Sequence, residues 1–263
     1  MKLNYTALLG ILSGSIAAFL TTTARADTFG AGADQFTIDF VTIGNPGNGN
    51  DAGAGGGLYS SPYGGMPYVY QMGVTEVSQD WITKATNLGM TSVTAGAWTG
   101  SQPAAFMTWF EAAAFVNWLN TSTGHQAAYQ LNGTNTALTL WSSAQAWQAG
   151  GENLYRHKDA YYFLPSENEW YKAAYHQNDG VTANYWDYAT ESNTAPTAVA
   201  SGTGAGTAVY NNVTSSPADV AISGGLSGYG TRGQNGNVRE WQESAFDGIN
   251  NSSSEPRAFR GGY

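Results

Sequence analysis

The sequence predicts an α+β fold built from three helices, short strands and a large share of ordered loop. Glycine accounts for 34 of the 263 residues, so the backbone must turn often. Three separate segments carry helix-capping signals, and apolar residues elsewhere occur in short alternating stretches. Charged residues make up 11% of the chain and aromatic residues 13%, a balance that favours one globular domain over disorder.

The first strands are indicated by alternation of side chains. Phe36, Ile38 and Phe40 alternate with polar or smaller residues, the period-two pattern of a half-buried strand over residues 36–43. Residues 44–67 are too rich in glycine, asparagine and serine for a regular element and predict a loop. The stretch YVYQMGVTEV that follows predicts a second strand.

Three helices are predicted from their N-terminal caps. Ser78 caps the first helix, which ends near a glycine. Thr108 and Glu111 form a capping box for the second helix, and Ser166 and Glu169 form one for the third. Residues 191–235 lack helical signals, but tyrosine and tryptophan lie on both sides of them, so we expect folded loops there rather than a linker.

The N-terminus has the pattern of a secretory signal peptide. Lys2 precedes an apolar run from Ala7 to Leu20, and Ala-Arg-Ala at 24–26 predicts cleavage after Ala26. A membrane anchor is the alternative, but the run is shorter than the ~20 residues that span a bilayer. We therefore expect an exported protein, whether periplasmic, cell-surface or secreted, with residues 27–263 forming a single domain.

Charge and cysteine content exclude several functions. The formal charge is −9, which disfavours nucleic acid and anionic membranes as partners and is compatible with cations. The 263 residues contain no cysteine, so they hold neither disulfides nor thiolate chemistry. An exported domain of this kind must be stabilised by packing or by metal ions.

Five ordered motifs resemble the formylglycine-generating enzyme, or sulfatase-modifying factor, family. The segments are YVYQMGVTEVSQDW, MTWFEAAAFVNWLN, YYFLPSENEWYKAAY, GYGTRGQNGNVREW and RAFRGGY, and the resemblance covers roughly Phe36 to Tyr263. The sequence also resembles an exported bacterial subgroup of that family. The resemblance implies a C-type-lectin-like α+β fold with small twisted antiparallel sheets.

In that family the Gly-Asn-Val-x-Glu loop binds calcium, and the resemblance implies Gly236, Val238 and Glu240 as ligands here. Calcium accepts hard oxygen ligands, including backbone carbonyls, so the residue types suit the ion. A tight turn that places Trp241 in the core is the alternative. Gly233 stands where relatives commonly carry an acid or amide, and Val209 replaces an asparagine of a second calcium site, which is therefore not expected.

The resemblance does not extend to the family's known redox centres. The paired cysteines that bind copper in the formylglycine-forming enzymes follow the Arg-Gly-Gly-Ser landmark, and this sequence stops at RGGY. Tyr263 and Arg239 also replace the family's serine and tryptophan. His125, His157 and His176 lack the spacing of an iron site, so neither copper nor iron is supported by these residues.

Two functions remain open at this point. The first is a calcium-stabilised, non-catalytic binding module for an extracellular or periplasmic protein or glycan, without a catalytic residue in the 263 positions. The second is an oxidoreductase of the same family whose catalytic residues lie beyond residue 263. The cluster YRHKDAYYF at 155–163 is either a ligand surface or a solvated loop that enters a strand.

Overall fold

The computed structural model describes residues 25–53, 62–94, 96–211 and 215–262. Within these ranges the chain forms three α-helices and eleven β-strands, most of them short, joined by ordered loops. The predicted α+β architecture with small antiparallel sheets is confirmed.

The largest sheet has three antiparallel strands in the order β1-β2-β3. They are β1 (Arg25–Phe29), β2 (Phe36–Ile43) and β3 (Tyr70–Gly73). The alternation in the sequence predicted β2 with the bounds that the structure shows. Along its first half the alternating residues Phe36 and Ile38 are buried while their neighbours are exposed, as a sheet with one covered face requires.

Strand β1 was not predicted, because its first two residues fall within the segment assigned to the signal peptide. Arg25 and Ala26 pair with Phe40 and Asp39, while residues 1–24 lie outside the described residues. Asp27, the first residue after the predicted cleavage point, accepts a hydrogen bond from the Tyr162 hydroxyl at 2.8 Å. Cleavage after Ala26 stays a prediction. None of the helices in the described ranges is long and apolar enough to cross a bilayer.

All three helices begin where their caps predict. Helix α1 is Gln79–Asn87, α2 is Trp109–Ser122 and α3 is Glu167–Tyr175. The side chain of Ser78 accepts from the first turn of α1, and both predicted capping boxes are present at α2 and α3. These caps satisfy backbone N–H groups that would otherwise lack a partner at the start of each helix.

The remaining strands form four two-stranded ladders. Three ladders are antiparallel, namely β4 with β5, β6 with β7 and β10 with β11, and one is parallel, β8 with β9. Their bounds are Gln130–Leu131 (β4), Leu138–Thr139 (β5), Ala146–Trp147 (β6), Asn153–His157 (β7), Thr197–Ala198 (β8), Thr207–Ala208 (β9), Arg239–Ala245 (β10) and Arg257–Gly261 (β11). Strands β8 and β9 lie inside 191–235, so the described part of that region is folded, as expected.

The main apolar core lies between the first sheet and helices α1 and α2. The Phe36 ring stacks between Trp81 and Trp118, with 6.1 Å between ring centroids on each side. Ile82 from α1 and Phe115 from α2 are almost fully buried in the same cluster. Burial of these large side chains is the main source of stability for this part of the fold.

A buried group of charges, which we call the arginine cluster, joins β7, α3 and β10. Arg156 of β7 bridges Glu169 of α3 and Glu243 of β10, with ion-pair distances of 2.8 and 2.7 Å. The three side chains are at most 1% exposed. Tyr129 and Asn153 donate further hydrogen bonds to Glu243. The cluster thereby fixes β10 relative to α3.

Candidate functional site

The predicted calcium ligands lie where an irregular turn enters strand β10. Gly236 and Val238 belong to the turn, and Glu240 is the second residue of the strand. We call residues 233–241 the turn segment. Trp241, at its end, is partly buried and donates from its indole N–H to the Met107 carbonyl at 2.8 Å. Trp241 therefore packs into the fold as predicted, and the residues before it form a turn.

Glycine is required at position 236 by close packing of two backbones. A Cβ atom there would overlap the carbonyl oxygen of Val209. The neighbouring Asn237 donates its backbone N–H to that same carbonyl at 2.7 Å. Val209 therefore anchors the turn through its main chain.

Two of the three predicted ligands converge on one point beside Gly261. A Cβ built on Gly261 would lie 2.9 Å from the Val238 carbonyl oxygen and 3.1 Å from Oε2 of Glu240. The Val238 oxygen accepts from the N–H of Gly262 at 3.1 Å, and Glu240 accepts from the indole N–H of Trp170 at 2.9 Å. The space that a side chain at position 261 would fill is thus bordered by a carbonyl and a carboxylate.

Glu76 is a site residue that the sequence analysis missed. It precedes α1, and its carboxylate accepts from the Asn237 side chain at 2.6 Å and from the Val238 N–H at 3.2 Å. A Cβ on Gly233 would lie 3.1 Å from the carboxyl carbon of Glu76. The Glu76 carboxylate therefore lies against Gly233, the position where the resemblance implies an acid or amide. The only signal in the sequence was the glutamate of the YVYQMGVTEV motif, to which no role was assigned.

Glu76 and Glu240 form a pair of carboxyl groups that we call the glutamate pair. Burial raises the pKa of Glu76 well above its usual value, and the charge of Glu240 raises it further. Burial raises the pKa of Glu240 to about 8, although the hydrogen bond from Trp170 opposes this shift. Both shifts mean that two negative charges here are unfavourable unless a proton or a cation compensates them.

The donors around the turn fit a calcium ion in chemical type. Carboxylate and carbonyl oxygens are the ligands that calcium prefers, and a divalent cation would remove the repulsion within the glutamate pair. No group of three or more histidine, cysteine, aspartate or glutamate side chains that could hold a metal occurs in the described part of the chain. Any ion held here would depend on main-chain oxygens as well as on carboxylates.

The turn segment forms part of the wall between two cavities. The first cavity has a volume of about 660 Å³ and is lined by β2, β3, α2 and residues Val238, Arg239, Glu240 and Trp241. The second has a volume of about 550 Å³ and lies between the end of α3, the loop after it and β11. Gln234 lines both cavities. The shape of each cavity therefore depends on the conformation of the turn.

The three histidines each have a local structural partner. The His125 ring stacks on Tyr161 with centroids 4.5 Å apart. His157 is buried and its Nδ1 accepts from the Asp159 N–H at 3.1 Å. Buried His176 accepts from the Asn178 N–H at 3.0 Å. Each of the three histidines therefore takes part in a local packing or turn contact.

The YRHKDAYYF stretch is not a solvated loop along its whole length. Tyr155, Arg156 and His157 belong to β7 and are buried, whereas Lys158 and Asp159 in the turn are exposed. Arg156 enters the arginine cluster, which no sequence pattern indicated.

Comparisons with known proteins agree on the fold. A family model described as "Sulfatase-modifying factor enzyme 1-like domain" matches residues 68–263. No curated protein sequence matches the chain. A solved structure titled "Treponema denticola variable protein 1" superposes with a TM-score of 0.51 at 22% identity, covering 84% of this chain and 77% of that one. At this identity the likeness shows the fold alone.

Proposed function

This chain belongs to the sulfatase-modifying factor enzyme 1-like domain family, and we propose that it is an exported, calcium-stabilised recognition module rather than a formylglycine-forming oxidase. The ligand class is an extracellular or periplasmic protein or glycan. The proposal depends chiefly on one observation: the turn that carries the proposed calcium ligands also shapes two cavities of ligand size.

The proposed calcium site consists of the carbonyl oxygens of Gly236 and Val238 and the carboxylate of Glu240. Glu76 adds a second carboxylate beside the turn and bonds to Val238 through the backbone N–H. A bound cation would allow both carboxylates to be ionised at neutral pH, which burial alone disfavours. The ion would thereby hold the turn in one conformation and keep the cavity walls in place.

Composition supports recognition over oxidation. The sequence has no cysteine, so its residues offer no thiolate for copper, and the described histidines are occupied in separate structural contacts. Tyrosine, tryptophan, asparagine and serine are abundant in the loops, and these residues form adaptable binding surfaces on a rigid frame. The predicted signal peptide supports export, and an exported domain without disulfides gains from a structural ion.

Calcium stabilisation is tested by thermal unfolding with and without a chelator. An ion that binds only the folded state stabilises it by about 2.7 kcal/mol when its concentration is 100 times Kd. We expect the chelator to lower the Tm of the native protein and to have little effect on Glu240→Gln. Glu243→Gln is the matched control, because Glu243 bonds to Arg156 and should retain the full response to calcium. Equal melting of the native protein in both buffers would contradict the calcium site.

The non-catalytic assignment is tested directly with a substrate of the oxidase reaction. The copper-loaded protein is incubated with a cysteine peptide of sulfatase type, and conversion to formylglycine is followed by mass spectrometry. We expect the cysteine to remain unchanged. Conversion above a copper-only control would instead favour an oxidoreductase.

A further inference from the structure

We propose that the second cavity binds a neutral oligosaccharide, with sugar rings stacked on Tyr188 and hydroxyl groups bonded to Asp187 and Asn235. This inference rests on the proposed function, because it names the ligand class of the recognition module. The volume of about 550 Å³ lies within the range of small-ligand pockets, about 300–1,000 Å³.

The aromatic lining of the cavity is held in place by its own contacts. Tyr175 packs on Tyr171 with centroids 4.7 Å apart, and Tyr210 donates from its hydroxyl to the Pro196 carbonyl at 2.6 Å. Phe259 packs edge-on against Trp241 and is 48% exposed. Rings that are already ordered lose little entropy when a ligand binds. Their apolar faces match the C–H faces of a pyranose ring.

Hydrogen-bonding groups converge on the same space from two loops. The backbone N–H of Asp187 donates to the Asn193 side chain at 3.0 Å, and the N–H of Tyr188 donates to the Ser192 carbonyl at 3.0 Å. These bonds fix the loop, while the exposed carboxylate of Asp187 has no hydrogen-bond partner in the described ranges. A free carboxylate on a rigid loop can accept from two neighbouring hydroxyl groups of a sugar.

Asn235 supplies amide donors from the turn segment, next to the loop that carries Asp187 and Tyr188. Its side-chain oxygen accepts from the Ala189 N–H at 3.0 Å, which sets the orientation of the amide. Its nitrogen is 3.5 Å from the Thr190 hydroxyl, at the limit of a hydrogen bond, so donor capacity remains for a ligand. Neighbouring donors and acceptors suit a polyol, since each hydroxyl can both donate and accept.

The charges of the lining favour a neutral ligand. Arg260 forms an ion pair with Glu167, and its guanidinium lies 5.0 Å from the centre of the Tyr171 ring. Its positive charge is therefore compensated inside the protein. Asp187 at the cavity and Arg239, whose guanidinium lies 5.1 Å from the centre of the Phe259 ring, place one charge of each sign beside the ligand space, and the whole chain carries −9. Sulfated or uronic-acid saccharides would be repelled by this field.

The inference is tested by calorimetric titration of the calcium-loaded protein with maltotetraose, cellotetraose and chitotetraose, and with a heparin tetrasaccharide as the anionic probe. We expect at least one neutral tetrasaccharide to bind and the heparin fragment not to bind. Tyr188→Ala should weaken the binding by about tenfold or more, because truncation of a central aromatic residue removes most of a stacking contact. Asp187→Asn, an exposed substitution that should fold normally, should weaken it by a smaller factor.

Phe106→Ala is the matched control, since Phe106 is 81% exposed and lines neither cavity. It should leave the affinity unchanged. Absence of binding by all three neutral saccharides at millimolar concentration would overturn the inference, as would binding that Tyr188→Ala and Asp187→Asn leave intact. Tighter binding of the heparin fragment would overturn the choice of a neutral ligand. If the same samples bind no saccharide but still show calcium-dependent melting, the oligosaccharide ligand is refuted. The proposed recognition of a protein ligand is then unaffected.

Discussion

Two pairs of glutamates lie in the interior formed by the described residues, and only one of these pairs has a cation between its members. In the arginine cluster, Arg156 contacts both Glu169 and Glu243 at hydrogen-bond distance. In the glutamate pair, Glu76 and Glu240 are held by neutral donors from Asn237, Val238 and Trp170. Neutral donors stabilise a carboxylate less than an arginine does. The comparison indicates that the second pair is where the folded protein would gain most from a metal ion.

The pKa values show the same contrast. Burial favours a raised pKa for Glu169, but the charge and hydrogen bonds of Arg156 outweigh burial and lower it. Glu240 is buried without such a partner, and its pKa rises to about 8. Arg156 therefore compensates one of the two charges of its pair, whereas the glutamate pair has no cation in contact among the described residues and would need a proton or an ion from solution.

Removal of the arginine should have the largest effect. Arg156→Met leaves two carboxylates buried without a cation. Removal of one partner of a buried ion pair lowers the free energy of unfolding by about 3–5 kcal/mol. We expect a loss of this order in the free energy of unfolding, measured by denaturant titration. Lys84→Met is the control, because Lys84 pairs with Asp80 on the surface of α1 and should cost under about 0.5 kcal/mol. Similar losses for the two variants would show that the cluster contributes little.

An added methyl group at Gly261 should have an intermediate effect. Gly261 has φ of 75°, and its Cβ would crowd Val238 and Glu240. Gly248→Ala is a matched control, since Gly248 has φ of 80° and nothing within 4 Å of its Cβ position. Backbone strain should cost about 1–2 kcal/mol in either variant. Only Gly261→Ala should also reduce the stabilisation by calcium. An equal response to calcium in the two variants would place the ion elsewhere.

The pH dependence of the arginine cluster should be the smallest effect. The folded pKa of Glu243 is raised, because burial outweighs the attraction of Arg156. The contribution of Glu243 to the free energy of unfolding is therefore fully present below the unfolded pKa of about 4.3. It is lost as the pH rises through the pKa of Glu243 in the folded protein. Glu169, whose folded pKa is lowered, acts in the opposite sense and loses its contribution as pH falls below about 4.3.

This prediction is measured as the difference in unfolding free energy between the native protein and Glu243→Gln, from pH 3 to 8 in saturating calcium. Because the folded pKa of Glu243 is raised, the stability of the native protein relative to Glu243→Gln should fall as pH rises above about 4.3. A difference that does not vary with pH would show that Glu243 has an ordinary pKa.

Local signals predicted the parts of the fold that depend on neighbouring residues. Ser78, Thr108 and Ser166 cap helices because their side chains reach backbone groups three positions ahead, and β2 follows from alternation along one strand. The resemblance to a known family supplied the topology, which no local pattern contains.

The candidate site was predictable only in part, because its contacts join distant positions. Gly236, Val238 and Glu240 were proposed from one continuous motif. Glu76 reaches the same turn from a position 162 residues away from Val238, so no spacing rule could connect them. Arg156 likewise meets Glu243 across 87 residues. The second cavity was also missed, since its walls come from loops that only the tertiary fold brings together.

Calcium binding by the metal-free protein tests the central claim most directly. Isothermal titration of the chelator-treated protein should show one calcium bound at the turn, with Kd below about 1 mM, as in extracellular calcium modules. The same titration of Glu240→Gln should show weaker binding or none, while Glu243→Gln should bind as the native protein does. No binding of calcium by the folded native protein at several times that concentration, or equal binding by all three proteins, would contradict the account.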